Sequence, residues 1–206
     1  MDRSLYKISN VNQMDPFLMT ITSGSDHWMY LSSTGCLTAG RVKAEYTLFP
    51  YVTDDLLHRN AHFTGPVTIL RIQQDSKNYI WEPFSKHKQP FNRENNLYKN
   101  SLGDTVVFEE KNHTLGLTYS YKWQASAEYG FVRKSSLINF GEKSLQVELL
   151  DGLRNIMPAG VELRTQQEMS NLVNAYKVSE CMPDANCALF FMNALLMDRP
   201  EPGESL

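Results

Sequence analysis

The amino-acid sequence predicts a mainly β protein of antiparallel strands arranged in two layers. The strongest observation is a period of two: Leu115, Leu117, Tyr119, Tyr121 and Trp123 alternate with Gly116, Thr118, Ser120 and Lys122. Successive side chains of a strand point to opposite faces, so this segment has one apolar and one polar face, whereas a helix would scatter the same residues around its circumference. The second observation is the spacing of turn residues. Gly, Ser, Asn and Asp clusters separate the strand-like runs by only a few positions, and strands joined that tightly are antiparallel, because a parallel pair requires a long crossover. The third is composition. Apolar residues make up 42% and charged residues 21% of the chain, as in globular domains, and an aromatic share of 11% suits the pleated surfaces on which such rings pack.

Residues 1–24 read as an N-terminal extension, 25–197 as the sandwich domain, and 198–206, rich in Pro, Gly and acid, as a linker or tail. Within the domain, His27 to Ser32 and Cys36 to Arg41 flank a tight turn at Ser33-Thr34-Gly35. Asp54 to His62 predicts a short helical turn, with Asp54 and Asp55 favourable at its positive N-terminal end. Val67 to Ile72 and Asn78 to Phe84 flank Gln73 to Lys77, a second hairpin. Asn95 to Asn100 is a strand closed by Ser101-Leu102-Gly103-Asp104, and Thr105 to Glu110 is another, turning at Lys111 to Thr114. Leu115 to Trp123 follows, then Tyr129 to Phe140, and Gly141 to Ser144 turns into the alternating Leu145, Val147 and Leu149. These runs predict a five-stranded meander with one face buried against a second layer. After Asp151 the period changes: Met169, Leu172, Val173 and Tyr176 fall at helical spacing. This predicts a helix over about 162–171, or on to Tyr176, and then a hairpin over 172–182 and 187–197 turning at Pro183-Asp184.

Several function classes are excluded early. The 206 residues carry a net charge of −3 and a pI near 6.0, without the basic stripe that nucleic-acid binding requires. No apolar run approaches the roughly 20 residues of a membrane helix, and Met1 to Ile8 has no signal-peptide core. A soluble cytoplasmic protein is expected, in which the sequon Asn112-His113-Thr114 is simply a turn. Cys36, Cys181 and Cys187 show no paired spacing and are expected as buried free thiols in a reducing compartment. No C-x-x-C, G-x-G-x-x-G, G-x-x-x-x-G-K-[ST] or G-x-S-x-G occurs, so no cofactor or metal is expected. His58 and His62, four apart, lack a motif glutamate and a third ligand, and read as a surface turn. Glu109 and Glu110 are neighbours on a strand, so they point to opposite faces and cannot flank one glycosidic bond. Lys86-His87-Lys88 with Arg93 reads as a solvated loop.

Sugar-binding surfaces lay flat rings against the apolar faces of pyranoses while polar groups hold the hydroxyls. Trp28, Tyr30, Tyr46, Tyr51 and Trp81 are candidates, because loops or loop edges surround them; core packing is the ordinary alternative. Asp54 and Asp55 lie where a loop meets the short helix, placed either to face a cleft or only to favour the helix start.

The run Trp28-Met29-Tyr30-Leu31-Ser32-Ser33-Thr34-Gly35-Cys36-Leu37-Thr38-Ala39-Gly40-Arg41, followed by Leu48-Phe49-Pro50-Tyr51-Val52-Thr53-Asp54-Asp55, resembles the start of cellobiose-phosphorylase-like proteins. Trp81-Glu82-Pro83-Phe84, Asn96-Leu97-Tyr98-Lys99-Asn100, Val107-Phe108-Glu109-Glu110 with Asn112-His113, and Tyr129-Gly130-Phe131-Val132-Arg133 continue the resemblance. Val147-Glu148-Leu149-Leu150-Asp151-Gly152-Leu153 and Asp198-Arg199-Pro200 extend it over most of residues 25–200.

The resemblance implies a galactose mutarotase-like antiparallel β-supersandwich. In that family it precedes a helical linker and a barrel of helical hairpins that holds the catalytic acid, and the enzymes cleave a glycosidic bond with phosphate or transfer a glycosyl unit. The sandwich shapes the active-site entrance and takes part in dimer contacts. This sequence reaches Leu206 before any such barrel, so no catalytic residue is expected within it, and the sandwich itself has room to be incomplete. The function expected is a non-catalytic, carbohydrate-associated domain. Its implied partners are a glucoside-type oligosaccharide, a helical-barrel catalytic domain downstream or in trans, and a second copy in a homodimer. Trp28, Tyr51, Asp54 and Asp55 are the expected sugar contacts: a ring stacks on the sugar and a carboxylate accepts two hydroxyl protons. Two other classes compete, a free-standing mutarotase or aldose epimerase-like enzyme, which needs an acid and a base across the anomeric carbon, and a structural oligomerisation module.

Overall fold

The computed structural model describes residues 4–157 and 161–193. In chain order its strands are β1 (Leu5–Ile8), β2 (Leu18–Ile21), β3 (His27–Ser32), β4 (Leu37–Arg41), β5 (Thr47–Phe49), β6 (Gly65–Gln74) and β7 (Lys77–Trp81). They continue as β8 (Arg93–Asn100), β9 (Thr105–Asn112), β10 (Leu117–Ser126), β11 (Gly130–Asn139), β12 (Gln146–Arg154), β13 (Lys177–Met182) and β14 (Cys187–Met192). The helices are short: α1 (Asp54–Leu57), α2 (Leu163–Glu168) and α3 (Ser170–Tyr176). All pairing is antiparallel. The sheets have the orders β1-β8-β9-β10-β11, β2-β3-β4-β5, β12-β6-β7 and β13-β14. The fold is the mainly β, sandwich-like one that the period of two predicts. No described helix is long and apolar enough to cross a membrane.

One hydrophobic core joins the three larger sheets. Leu97, Phe108, Leu117, Tyr119, Tyr121 and Trp123 from the five-stranded sheet meet Met29, Leu31, Leu37 and Phe49 from the four-stranded sheet, and Leu70, Ile72 and Trp81 from the three-stranded one. The alternating residues of β10 are the centre of this layer, as their spacing requires. Burying a side chain such as Leu31 or Leu37 contributes roughly 1.5–3 kcal/mol.

Four departures from the sequence reading have physical causes. Residues 1–24 are read there as an extension, yet β1 pairs with β8 and β2 with β3, so two of its segments are strands of the body. The predicted fifth strand of the meander is a strand, but β12 leaves β11 and pairs with β6 from Gln146↔Gln73 to Arg154↔Gly65. Alternation records which face a side chain takes; it carries no information about which strand lies alongside. The hairpin loop predicted at Gln73 to Lys77 is tighter, with Asp75 and Ser76 at φ 47° and 67°, the pair of positive values whose twist matches two-residue hairpin turns. Finally, the helical stripe runs on to Tyr176 with a break at Met169. The last hairpin therefore starts at Lys177, turning at Pro183–Ala185 as predicted. Its expected extent to 197, and the tail at 198–206, lie outside the described residues.

The sheets are also bolted together by a polar knot. Arg133 on β11 donates from Nη1 to Asp151 Oδ2 at 3.0 Å and from Nη2 to Asp151 Oδ1 at 2.8 Å and to the Tyr119 hydroxyl at 3.0 Å. Ser135 donates to Asp151 at 2.6 Å, and Thr68 on β6 donates to it at 2.7 Å. Burial works against ionisation of Asp151, but the hydrogen bonds from Arg133, Ser135 and Thr68 outweigh it and hold the carboxyl down at about 2.

Of the cysteines, only Cys36 meets the expectation of burial, which pushes its thiol up to about 11. Cys181 and Cys187 are free and exposed. Register places Cys181 opposite Ala188 and Cys187 opposite Met182, so the two thiols sit on opposite faces of the ribbon.

Candidate functional site

The outer face of the four-stranded sheet carries a cavity of about 410 Å³, and it is built from the alternation of β3. Met29 and Leu31 enter the core, which sends Trp28 and Tyr30 to the other face. Gly40 is the cross-strand partner of Trp28. A Cβ there would stand 2.5 Å from Trp28 Cζ2 and 2.3 Å from the Tyr46 carbonyl oxygen, so the indole lies across β4 because that position has no side chain. Gly40→Ala is expected to expel the indole and reshape the cavity, read as a red shift of tryptophan emission in a chain whose far-ultraviolet dichroism is retained.

The remaining walls come from loops. Thr38 donates to the Pro50 carbonyl at 2.9 Å and so pins the segment that presents Tyr51, whose ring meets Trp28 edge to face at 6.0 Å. Tyr30 sits 5.9 Å from Trp28 at a 37° tilt. Thr53 and the fully buried Leu57 of α1 close one side. On the other rim Val42 has φ 55°, a conformation that costs a β-branched residue on the order of 1–3 kcal/mol. It is held by its N–H to the Asp26 carbonyl at 2.8 Å. The turn it makes places Lys43 beside the cavity, with its ammonium 4.8 Å from the centre of the Tyr46 ring. The Trp28 indole N–H is buried without a hydrogen-bond partner among the described residues.

Of the candidate rings named from sequence, Trp28, Tyr30 and Tyr51 thus come together on this cavity. Tyr46 lies next to the rim. Trp81 is a core residue instead, fully buried and donating from Nε1 to Glu110 at 2.8 Å. Asp54 and Asp55 begin α1 directly after Thr53; their side chains lie outside what the structure describes. His58 follows the end of α1, and its Nδ1 pairs with the Ser32 hydroxyl at 2.7 Å, while the His62 ring faces His87 at 5.5 Å. Among the described residues no group of three His, Cys, Asp or Glu side chains is placed to hold a metal ion.

A second cavity, about 500 Å³, is lined by Phe84, Phe91, Phe108, Lys86, Arg93 and Asn95 among others. Sequence reading sets Lys86-His87-Lys88 with Arg93 in a solvated loop; Lys86, His87 and Lys88 are exposed as expected, whereas Arg93 begins β8 and is partly buried, and the loop is stapled. Gln89 donates to the Glu82 carbonyl at 2.7 Å, and Arg93 lies 3.4 Å from both the Ser85 carbonyl and Glu110. Phe84, at φ 62°, is kept in place by its N–H donated to Glu110 Oε2 at 2.7 Å. Nothing in the local sequence marks this arrangement, since Glu110 and the loop are brought together only by packing. Glu109 takes the other face as expected, accepting from Asn96 and Tyr98 at 3.0 and 2.9 Å. No protein-family model matches the chain, nor does any curated protein.

Proposed function

We propose that this chain is a non-catalytic, carbohydrate-associated β-sandwich domain of a glycosyl-transferring enzyme of the cellobiose-phosphorylase-like kind. The observation that carries the reading is the convergence of Trp28, Tyr30 and Tyr51 on one cavity. Rings set at different tilts offer stacking to more than one sugar ring. The cavity lies in the size range of small-ligand sites, roughly 300–1,000 Å³. Asp54 and Asp55, next in sequence to the cavity wall, supply acceptors for hydroxyl protons in this reading. The occupant is a glucoside-type oligosaccharide. A helical-barrel domain, in the same polypeptide or in trans, supplies the catalytic acid, and a second copy completes a dimer.

The epimerase alternative needs a histidine and a carboxylate facing one sugar. The histidine–carboxylate neighbours described, His27 with Asp26 and His113 with Glu94, do not line the aromatic cavity.

The test is a calorimetric titration with glucose, cellobiose and cellotriose. Binding is expected to strengthen with chain length, and Trp28→Ala or Tyr51→Ala to weaken it about tenfold, equivalent to about 1.4 kcal/mol. Flat titrations with all three sugars would remove the sugar assignment. Acceleration of anomer exchange by the chain would overturn the non-catalytic one.

A further inference from the structure

The second cavity, of about 500 Å³, carries charge of one sign. Among the described residues that line it, only Lys86 and Arg93 are titratable, and both are cations. Lys86 is exposed, and its ammonium has no partner among the described residues. Arg93 shares a face of β8 with Asn95 and Leu97. Leu97 enters the core and its cross-strand partner Phe108 is a wall of the cavity, so the strand itself sends the Arg93 side chain to the cavity side of the sheet. Asn96 turns the other way and donates to Glu94 and Glu109, which places those two carboxylates across the sheet.

The guanidinium of Arg93 is only half used. Its Nη1 lies 3.4 Å from the Ser85 carbonyl and from Glu110 Oε1. Nε and Nη2 form the other edge of the fork and have no acceptor among the described residues. Neither is enclosed, in contrast to the Nε atoms of Arg133 and Arg154, and the Arg93 side chain is 20% exposed. Such an edge presents two parallel N–H groups, which a carboxylate accepts in bidentate fashion. Glu110, fully buried beside Arg93, offsets that cation; Lys86 is left without a counter-charge, so the cavity favours a monoanion. Phe84, Phe91 and Phe108 supply the apolar remainder, with Phe84 and Phe108 edge to face at 6.3 Å.

We infer that this cavity binds a small aromatic carboxylate, its anion on the Nε–Nη2 edge of Arg93 and beside Lys86, its ring among the three phenylalanines. The site is separate from the aromatic cavity around Trp28 and does not depend on its sugar reading.

The test uses the full chain, calorimetry and ligand-detected saturation-transfer NMR with four probes. They are 2-naphthylacetate, its neutral isostere 2-naphthylacetamide, and acetate and inorganic phosphate, which lack the ring. The naphthylacetate is expected to bind about tenfold more tightly than the amide, because its hydrogen bonds are charge-assisted, and at least about tenfold more tightly than either ringless anion. Lys86→Glu changes an exposed side chain, so the fold should survive; it should cut the acid's preference over the amide to about twofold or less while amide binding persists. Arg93→Lys keeps the charge beside Glu110 but has no two-pronged edge, and should weaken naphthylacetate about fivefold or more. Equal binding of acid and amide, acetate or phosphate binding as tightly as naphthylacetate, a full acid preference in Lys86→Glu, or binding of none of the probes would each overturn the proposal.

Discussion

Asp151→Ala is expected to lower the unfolding free energy by about 3 kcal/mol, because removing one partner of a buried ion pair strands the other. Arg133, with a side chain only 11% exposed, would be left with its charge facing a core layer and with just the Tyr119 hydroxyl in place of the carboxylate. Thr68, Ser135 and Tyr119 would lose their shared acceptor as well. The knot ties β6 and β12 of one sheet to β10 and β11 of another, so the loss falls on the contact between layers. Asp151→Asn keeps the shape and should cost less, about 2 kcal/mol.

The same residue sets a pH dependence whose sign can be stated. Its carboxyl titrates at about 2 in the folded chain, below the roughly 3.9 of an unfolded aspartate. Its contribution is therefore fully present above about pH 4, and it is lost as the pH falls from there through about 2. Integrated over that window it amounts to about 2–3 kcal/mol. Urea unfolding at pH 7, 4, 3 and 2 should show wild type and Asp151→Asn converging as the pH drops. Curves that stay parallel down to pH 2 would remove Asp151 from the balance.

The second large effect is expected at Glu110. It is fully buried, and its two oxygens accept the Trp81 indole N–H at 2.8 Å and the Phe84 N–H at 2.7 Å, with Arg93 at 3.4 Å. Glu110→Ala leaves these donors without an acceptor in the core and opens a void, for a loss of about 4 kcal/mol. Glu110→Gln presents one carbonyl oxygen and one NH₂ to two donors, and should cost about half as much. Phe84 adds a readout that a simple void would not move. Its positive φ is held by the bond to Glu110, so the loop from Glu82 to Asn92 should lose hydrogen-exchange protection in Glu110→Ala while β9 and β10 retain most of theirs. Uniform loss of protection across the sheet would show that Glu110 supports the core as a whole and not this loop.

What was legible in the sequence was what short-range period encodes. The alternation from Leu115 to Trp123 marked β10 and its buried face, the Ser33-Thr34-Gly35 cluster marked the β3–β4 turn, and the adjacency of Glu109 and Glu110 placed them on opposite faces. Trp28 and Tyr51 were legible as aromatics at loop edges, whereas Trp81, chosen by the same rule, is a core residue, because flanking turns do not reveal what packs against a ring. Lys86 is solvated as its sequence suggests, whereas Arg93 is partly buried beside Glu110, a position that depends on how the loop folds back over β9.

By itself, then, the sequence determined a mainly β antiparallel protein, its principal turns and the candidate rings Trp28, Tyr30 and Tyr51 of the aromatic cavity, all of which follow from residues within a few positions of one another. Only the tertiary structure decided that β12 joins β6 and that Asp151, 83 positions from Thr68, lies at a junction of sheets. The reason is that strand geometry ties each side chain to a face through the chain itself, while the choice of neighbour across a sheet or a layer is made by packing between segments whose local sequences carry no record of each other.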